Sequence, residues 1–392
     1  MRVDSVICGA SAFAFWRVPP LVKKISELSL GSEGLPVPFD RLRRVRAALM
    51  EELPLWRYDP SAAHAGRPIL LEGAEGILVN LGALAAGVSP PVDVLVGTRE
   101  ERRPSGLVRP HVVAPSLSDG ELVWAGSRLS VTSPALTLLL VAPTLSLPRL
   151  VMAASELCGT FSAYRAPAPV RELLEELARR DELPALGGWR PVLDREGRLT
   201  DLWSRPPLAT PADLASLAER ARGRRGCRAL AAASRLVVPG AASPLEVQTG
   251  MLLGLDPGVG GEGLGGFTHN ARLALGARAR ALAGRGSCYC DIFWDGEGTR
   301  PPVDLECQSG LFHADERGAL SDADRSLALA SMGVEVLEVT RAQLTNMRRF
   351  DALARMVAEK LGREVPARTP EFLRLRAALR REVLVDMRSI VD

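Results

Sequence analysis

SPLEVQTGMLLGL (243–255) carries both a helix start and a helix stop. Ser243 is a side-chain cap, Pro244 suits the first helical position, and Glu246 falls at the third, completing a capping box. The apolar run ends near Gly254. A glycine-rich stretch (258–266) follows and reads as a flexible loop. It has no GK[ST] and no strand–loop–helix setting, so it is not a phosphate loop. Three strand-like runs come next: Leu273–Leu275, Cys288–Trp294 and Val303–Cys307. The last two are joined by the turn DGEGTRPP (295–302). A helix is expected over Leu320–Met332, with Gly333 as its C′ residue. Val334–Val339 reads as a buried strand from its β-branched content. Thr340 caps a further helix running to about Leu361. Helix, three strands, helix, strand, helix is a mixed α/β pattern, not a doubly wound sheet.

Working outward, Val3–Cys8 reads as a strand, followed by a small-residue helix that ends at Pro19-Pro20. Residues 40–52 resemble a basic helix. Strand-like runs follow at Gly76–Leu81, Val92–Val96, Leu107–Val113, Leu122–Trp124 and Leu129–Val131, punctuated by Pro and Gly. Ser133-Pro134 opens an apolar helix. Residues 146–183 read as helices, 184–211 as a linker or hairpin, 212–235 as a long helix or helix pair, and 370–387 as a basic helix. The fold class expected is therefore mixed α+β. An N-terminal α/β region covers 1–183 and a linker 184–211. A domain with a mixed central sheet flanked by helices covers 212–365, led by a basic helix, and a helical tail covers 366–392.

Composition bounds the function. The chain has 392 residues, net charge +3, 47% hydrophobic and 24% charged residues. That excludes bulk disorder and a wholesale nucleic-acid coat. Only Lys23, Lys24 and Lys360 are lysines, so nearly all of the 49 basic residues are arginine. Six cysteines without a C-x-x-C pair point to reduced thiols in a cytoplasmic protein, not to a disulfide framework or zinc site. The N-terminus lacks a long apolar core for a signal peptide. The most apolar stretch, Leu136–Pro143, falls far short of the ~20 residues that span a bilayer.

The chemistry concentrates in 243–340. Antiparallel pairing across the 295–302 turn can bring Asp291, at the end of its strand, beside Glu306. Gln308 lies two residues further on and faces the same way. Paired carboxylates with a third polar group suit Mg²⁺ or Mn²⁺, and such a metal can activate water and offset charge on a phosphodiester. A blander reading stands beside this one. Strand-end carboxylates can be solvated or salt-bridged, and a capping box alone accounts for Glu246. Cys307, between Glu306 and Gln308, should face the core. His64, His111 and His269 are scattered.

In this order, SPLEVQTGMLLGL, CDIFW (290–294), DLECQSGLFH (304–313) and DADRSLALASMGVEVLEVT (322–340) with Gln343-Leu344 resemble the PD-(D/E)xK nuclease superfamily. More narrowly, they are similar to the very-short-patch-repair-like endonuclease domains of AbiEi-related bacterial proteins. The resemblance implies a restriction-endonuclease-like domain that hydrolyses DNA phosphodiesters with Mg²⁺ or Mn²⁺. It implies Asp291 and Glu306 as metal ligands, Glu246 as an assisting residue, and Gln308 at the usual lysine position. His313 and the Asp324-Arg325 pair match further family positions. SAFAFWRVPP (11–20), VTSPALTLL (131–139) and ELCGTF (156–161) resemble, less specifically, the segment preceding that domain. Gln308 can hydrogen-bond a water but supplies no charge.

From Arg220 to Arg235 there are six arginines and no acid; Arg220, Arg222, Arg224, Arg225 and Arg228 are candidates for a phosphate backbone. Arg272, Arg278, Arg280 and Arg285 continue the basic run. A solvated helix face explains the same pattern. The alternative function is a catalytically inactive, DNA-binding nuclease fold acting as an AbiEi-like antitoxin or regulator, or as the partner of a toxin or defence protein.

Overall fold

The computed structural model describes residues 5–29, 88, 91–106, 108–112, 117, 120–126, 129–194, 196–308, 311–312 and 322–391. The 40–52 helix, the Gly76–Leu81 strand, His64 and His313 lie outside the described residues. The architecture is mixed α+β, with three sheets among the described residues.

The first sheet holds β1 (Ser5–Ile7), β2 (Val92–Val96), β3 (Val108–Val112), β4 (Leu122–Gly126) and β5 (Leu129–Thr132). Its order is β3-β2-β1-β5-β4. The β1–β5 and β2–β3 pairs are parallel and the others antiparallel. Its helices are α1 (Gly9–Arg17), α2 (Pro20–Ser29), α3 (Pro134–Val141) and α4 (Leu147–Cys158). Ser133 caps α3, accepting from Leu136 N at 3.3 Å, as the Ser-Pro signal predicts.

Within 146–183, read as wholly helical, the chain inserts β6 (Phe161–Ala163) before α5 (Ala168–Arg179). All three β6 residues are buried. A strand this short and covered on both faces leaves no alternation to read. The 184–211 stretch, read as a linker or hairpin, is a hairpin: β7 (Arg190–Asp194) pairs antiparallel with β8 (Leu199–Ser204). β8 also pairs with β6, and Trp203 is fully buried. The 212–235 stretch is a helix pair, α6 (Pro211–Arg220) and α7 (Cys227–Leu236).

The segment 244–340 then forms α8 (Pro244–Gly254), β9 (Thr268–Ala274), α9 (Ala277–Ala283), β10 (Ser287–Trp294), β11 (Val303–Gln308), β12 (Leu311–Phe312), α10 (Asp322–Ser331) and β13 (Glu335–Thr340). The third sheet has the order β13-β11-β10-β9, parallel only between β11 and β13. β12 instead joins the hairpin sheet beside β7. β13 departs from the buried strand expected. It is the outer strand, and Glu338 on it is exposed. Three more helices follow: α11 (Arg341–Thr345), α12 (Met347–Leu361) and α13 (Pro370–Val383).

A continuous apolar core runs from Ile7 to Ile390, while α2 and α5 pack in a second cluster and α9 and α10 in a third. The C-terminal segment, read as a tail, is helical and buries Leu379, Val383, Met387 and Ile390 in that core. Gln248 on α8 holds it by donating to the carbonyls of Val383 (2.9 Å) and Val385 (2.8 Å). The glycine run, read as flexible, is pinned. Glu262 within it is fully buried and pairs with Arg376 of α13 at 2.8 Å and with Arg368 at 2.8 Å. Gly260 has φ +93°, and any Cβ there would lie 2.5 Å from the Leu375 backbone. Only glycine fits on both counts. Among the described residues no helix is long and apolar enough to cross a membrane.

Replacing Glu262 by Ala leaves Arg368 and Arg376 with only the part-exposed Asp351 as counter-charge. We expect a loss of about 3–5 kcal/mol in urea unfolding. A loss below about 1 kcal/mol, the range of exposed ion pairs, would show that the cluster is solvated.

Candidate functional site

α8 starts as its sequence dictates, with Ser243 Oγ accepting from Glu246 N at 3.2 Å. The second half of the expected capping box does not form. The Glu246 carboxylate turns instead to Ala242 N (2.8 Å) and Asn270 Nδ2 (2.7 Å). Asn270 sits on β9 at φ +49°, a left-handed conformation that Asn tolerates better than most residues. Its Nδ2 also donates to the Gly240 carbonyl at 2.9 Å. An unusual backbone residue thus holds Glu246 against the sheet.

The antiparallel register pairs Phe293 with Asp304 and Trp294 with Val303. Two residues beyond, Asp291 stands level with Glu306, and its Oδ2 accepts from Cys307 N at 2.8 Å. Asp291 therefore lies within β10, not at its end as expected from the sequence. Asp304 and Glu306 are two apart on β11 and share a face. Both are buried, at 0% and 4% exposure. Arg325, at the start of α10, ion-pairs with Glu306.

Four carboxyls are thus gathered with one nearby guanidinium in contact. Burial, then the charge of Asp291, pushes Glu246 well above the carboxylate range. Glu306 is pushed up by burial and by the charges of Asp291 and Asp304, against the pull of Arg325. Asp304 rises to about 6, chiefly through burial. Glu306 Oε1 and both Asp304 oxygens are buried without a hydrogen-bond partner while both groups are ionised. A proton shared by the two carboxyls, or a cation, would satisfy them.

Cys307 faces the core as expected, with Sγ 3.9 Å from Thr249 Oγ1 on α8. Gln308 is half-buried at the end of β11, level with Thr340 of β13. His269, read as scattered, belongs to the site's frame. Its Nδ1 donates to the Asp291 carbonyl at 3.2 Å, and burial lowers its pKa to about 4, so the ring is neutral. His111 sits elsewhere, 2.7 Å from Asp93 in the first sheet. Asp304, Asn270 and His269 escaped the sequence reading. The D-x-E spacing of Asp304 and Glu306 could have revealed the first; nothing local marks the other two.

The arginines proposed for nucleic acid are not brought to the carboxylates by any ion pair or hydrogen bond. Arg220 donates to Ser216 at 2.7 Å and Arg222 pairs with Glu219 at 3.0 Å, both within the α6–α7 region. Among the described residues no group of three or more His, Cys, Asp or Glu side chains is arranged to hold a metal ion. Comparison with family models, with curated proteins and with solved structures gave no match to this chain.

Burial and neighbouring carboxylates raise Glu246 and Glu306 above the ordinary value of about 4.3 that an unfolded chain keeps. The folded state therefore binds more protons through neutral pH, and stability falls as pH rises. The urea midpoint in chelator should drop between about pH 5 and about pH 8, and Glu306→Gln should flatten that slope. An equal slope in the variant would mean that Glu306 is ionised throughout.

Proposed function

We propose that the chain is a divalent-metal-dependent DNA endonuclease with a restriction-endonuclease-like domain. The observation that carries the reading is the excess of buried carboxylate over positive charge around β10 and β11. Such an arrangement is unfavourable in water-poor surroundings unless protons or a cation offset it. Its oxygens are hard donors suited to Mg²⁺ or Mn²⁺. Asp291 and Glu306 would hold the ion. A divalent ion at this position would lower the pKa of water and offset phosphate charge.

The chain's own residues do the rest. Asn270 and Ala242 N fix Glu246 at the helix start. Arg325 holds Glu306 in place and keeps part of its charge. Gln308 can orient a water through its amide but cannot polarise it by charge. His269, neutral, fixes the Asp291 backbone.

Purified protein with Mn²⁺ or Mg²⁺ should nick supercoiled DNA, and Asp291→Asn should abolish nicking and Mn²⁺ binding by calorimetry. Gln308→Lys should raise the nicking rate, by about 10-fold or more if missing charge is the limiting factor. Neither nicking nor Mn²⁺ binding by the wild type would sink the nuclease reading.

The second reading, an inactive nuclease fold that binds DNA as an antitoxin-like regulator, is favoured by one contact. Arg325 occupies a carboxylate oxygen that a metal would use, and Gln308 supplies no charge in its stead. Salt-sensitive DNA binding that persists in chelator would support it.

A further inference from the structure

The β9–β10 ribbon does not end at the carboxylates. Tyr289 stands directly opposite Arg272 on it. Tyr289 is 46% exposed, an unusual state for an aromatic in a sheet strand. Cys288, Cys290, Ala271 and Leu273 pack into a cluster with Ala279 of α9 and Ala328 and Leu329 of α10. The alternation of a strand therefore turns Tyr289 and Arg272 to the opposite, open side. Arg272 Nε donates to Ser287 Oγ at 3.2 Å, which steadies the guanidinium along the ribbon. Arg272, Arg278 and Arg280 have no carboxylate partner among the described residues. Residues 270–290 carry four arginines and no acid.

Tyr289 precedes Asp291 by two residues, and Arg272 follows Asn270 by two. Each step is about 7 Å along a strand. We infer that this outer half of the ribbon is a platform for an unpaired DNA strand, on which Tyr289 stacks a base while Arg272 meets the adjoining phosphate. An open aromatic face accepts any base, and an unpaired strand offers a face that a duplex keeps stacked. Positive charge without counter-charge matches a phosphate backbone. The choice of DNA rests on the nuclease reading; the platform itself rests on Tyr289 and Arg272.

The test uses the full chain and a fluorescein-labelled oligo(dT) of about 20 nucleotides, long enough to cover a site of this kind, in chelator, by anisotropy. Tyr289→Ala should weaken binding by about 10-fold or more, and Tyr289→Phe should restore it, since stacking needs the ring and not the hydroxyl. Arg272→Ala should weaken binding and reduce the salt slope by about 0.7, the share of one phosphate on a single strand. Mn²⁺ binding should be unchanged in all three variants. Wild-type protein that ignores the oligonucleotide, or Tyr289→Ala that binds it equally well, overturns the platform. Tyr289-dependent binding in a protein that neither takes Mn²⁺ nor cuts would instead overturn only the nuclease reading.

Discussion

Three distant parts of the chain meet at the guanidinium of Arg17. From α1 it reaches both oxygens of Glu156 on α4, at 2.9 and 2.5 Å. It also donates to the carbonyls of Met387 (2.5 Å) and Arg388 (2.7 Å) near the C-terminus. Glu156 Oε1 in turn accepts from Ala163 N in β6 at 3.0 Å. Both ions are buried. An arrangement of this kind is tolerable only when nearly every donor is used, so the first sheet, the hairpin sheet and the C-terminal turn must be seated together.

The same device recurs. Arg205 donates to the carbonyls of Glu156 (2.6 Å), Pro206 (2.8 Å) and Gly159 (3.3 Å). Arg380 donates to Leu344 and Thr345 carbonyls at 2.5 and 3.1 Å. Arg376 is 1% exposed within the Glu262–Asp351 cluster. A planar five-donor fork can reach carbonyls and a carboxylate at once, which an ammonium cannot do as readily. The preference for arginine over lysine therefore supplies struts for the interior.

Local signals were the legible part. Ser133, Ser243 and Thr340 each start a helix where their spacing places it, because a cap depends on neighbours three residues away. The β10 and β11 strands and their antiparallel turn were readable for the same reason. Glu246 could be placed at its helix start, yet its carboxylate partner could not, since Asn270 lies 24 residues further on. The hairpin sheet was hardest to read: β6 is three residues long and its partner β8 lies some forty residues away, while β12 reaches β7 across more than a hundred. The pinned glycine loop likewise depends on Arg376, more than a hundred residues downstream.

β12 carries a consequence of its own. Three residues after Gln308 the backbone leaves the carboxylate sheet and adds to the edge of β7, with Leu311 opposite Asp194 and Phe312 opposite Leu193. Gln308 and the hairpin are thus tethered by a very short span of chain. The end of β11 and the edge of β7 therefore stay within the reach of two intervening residues, a limit that chain length alone sets.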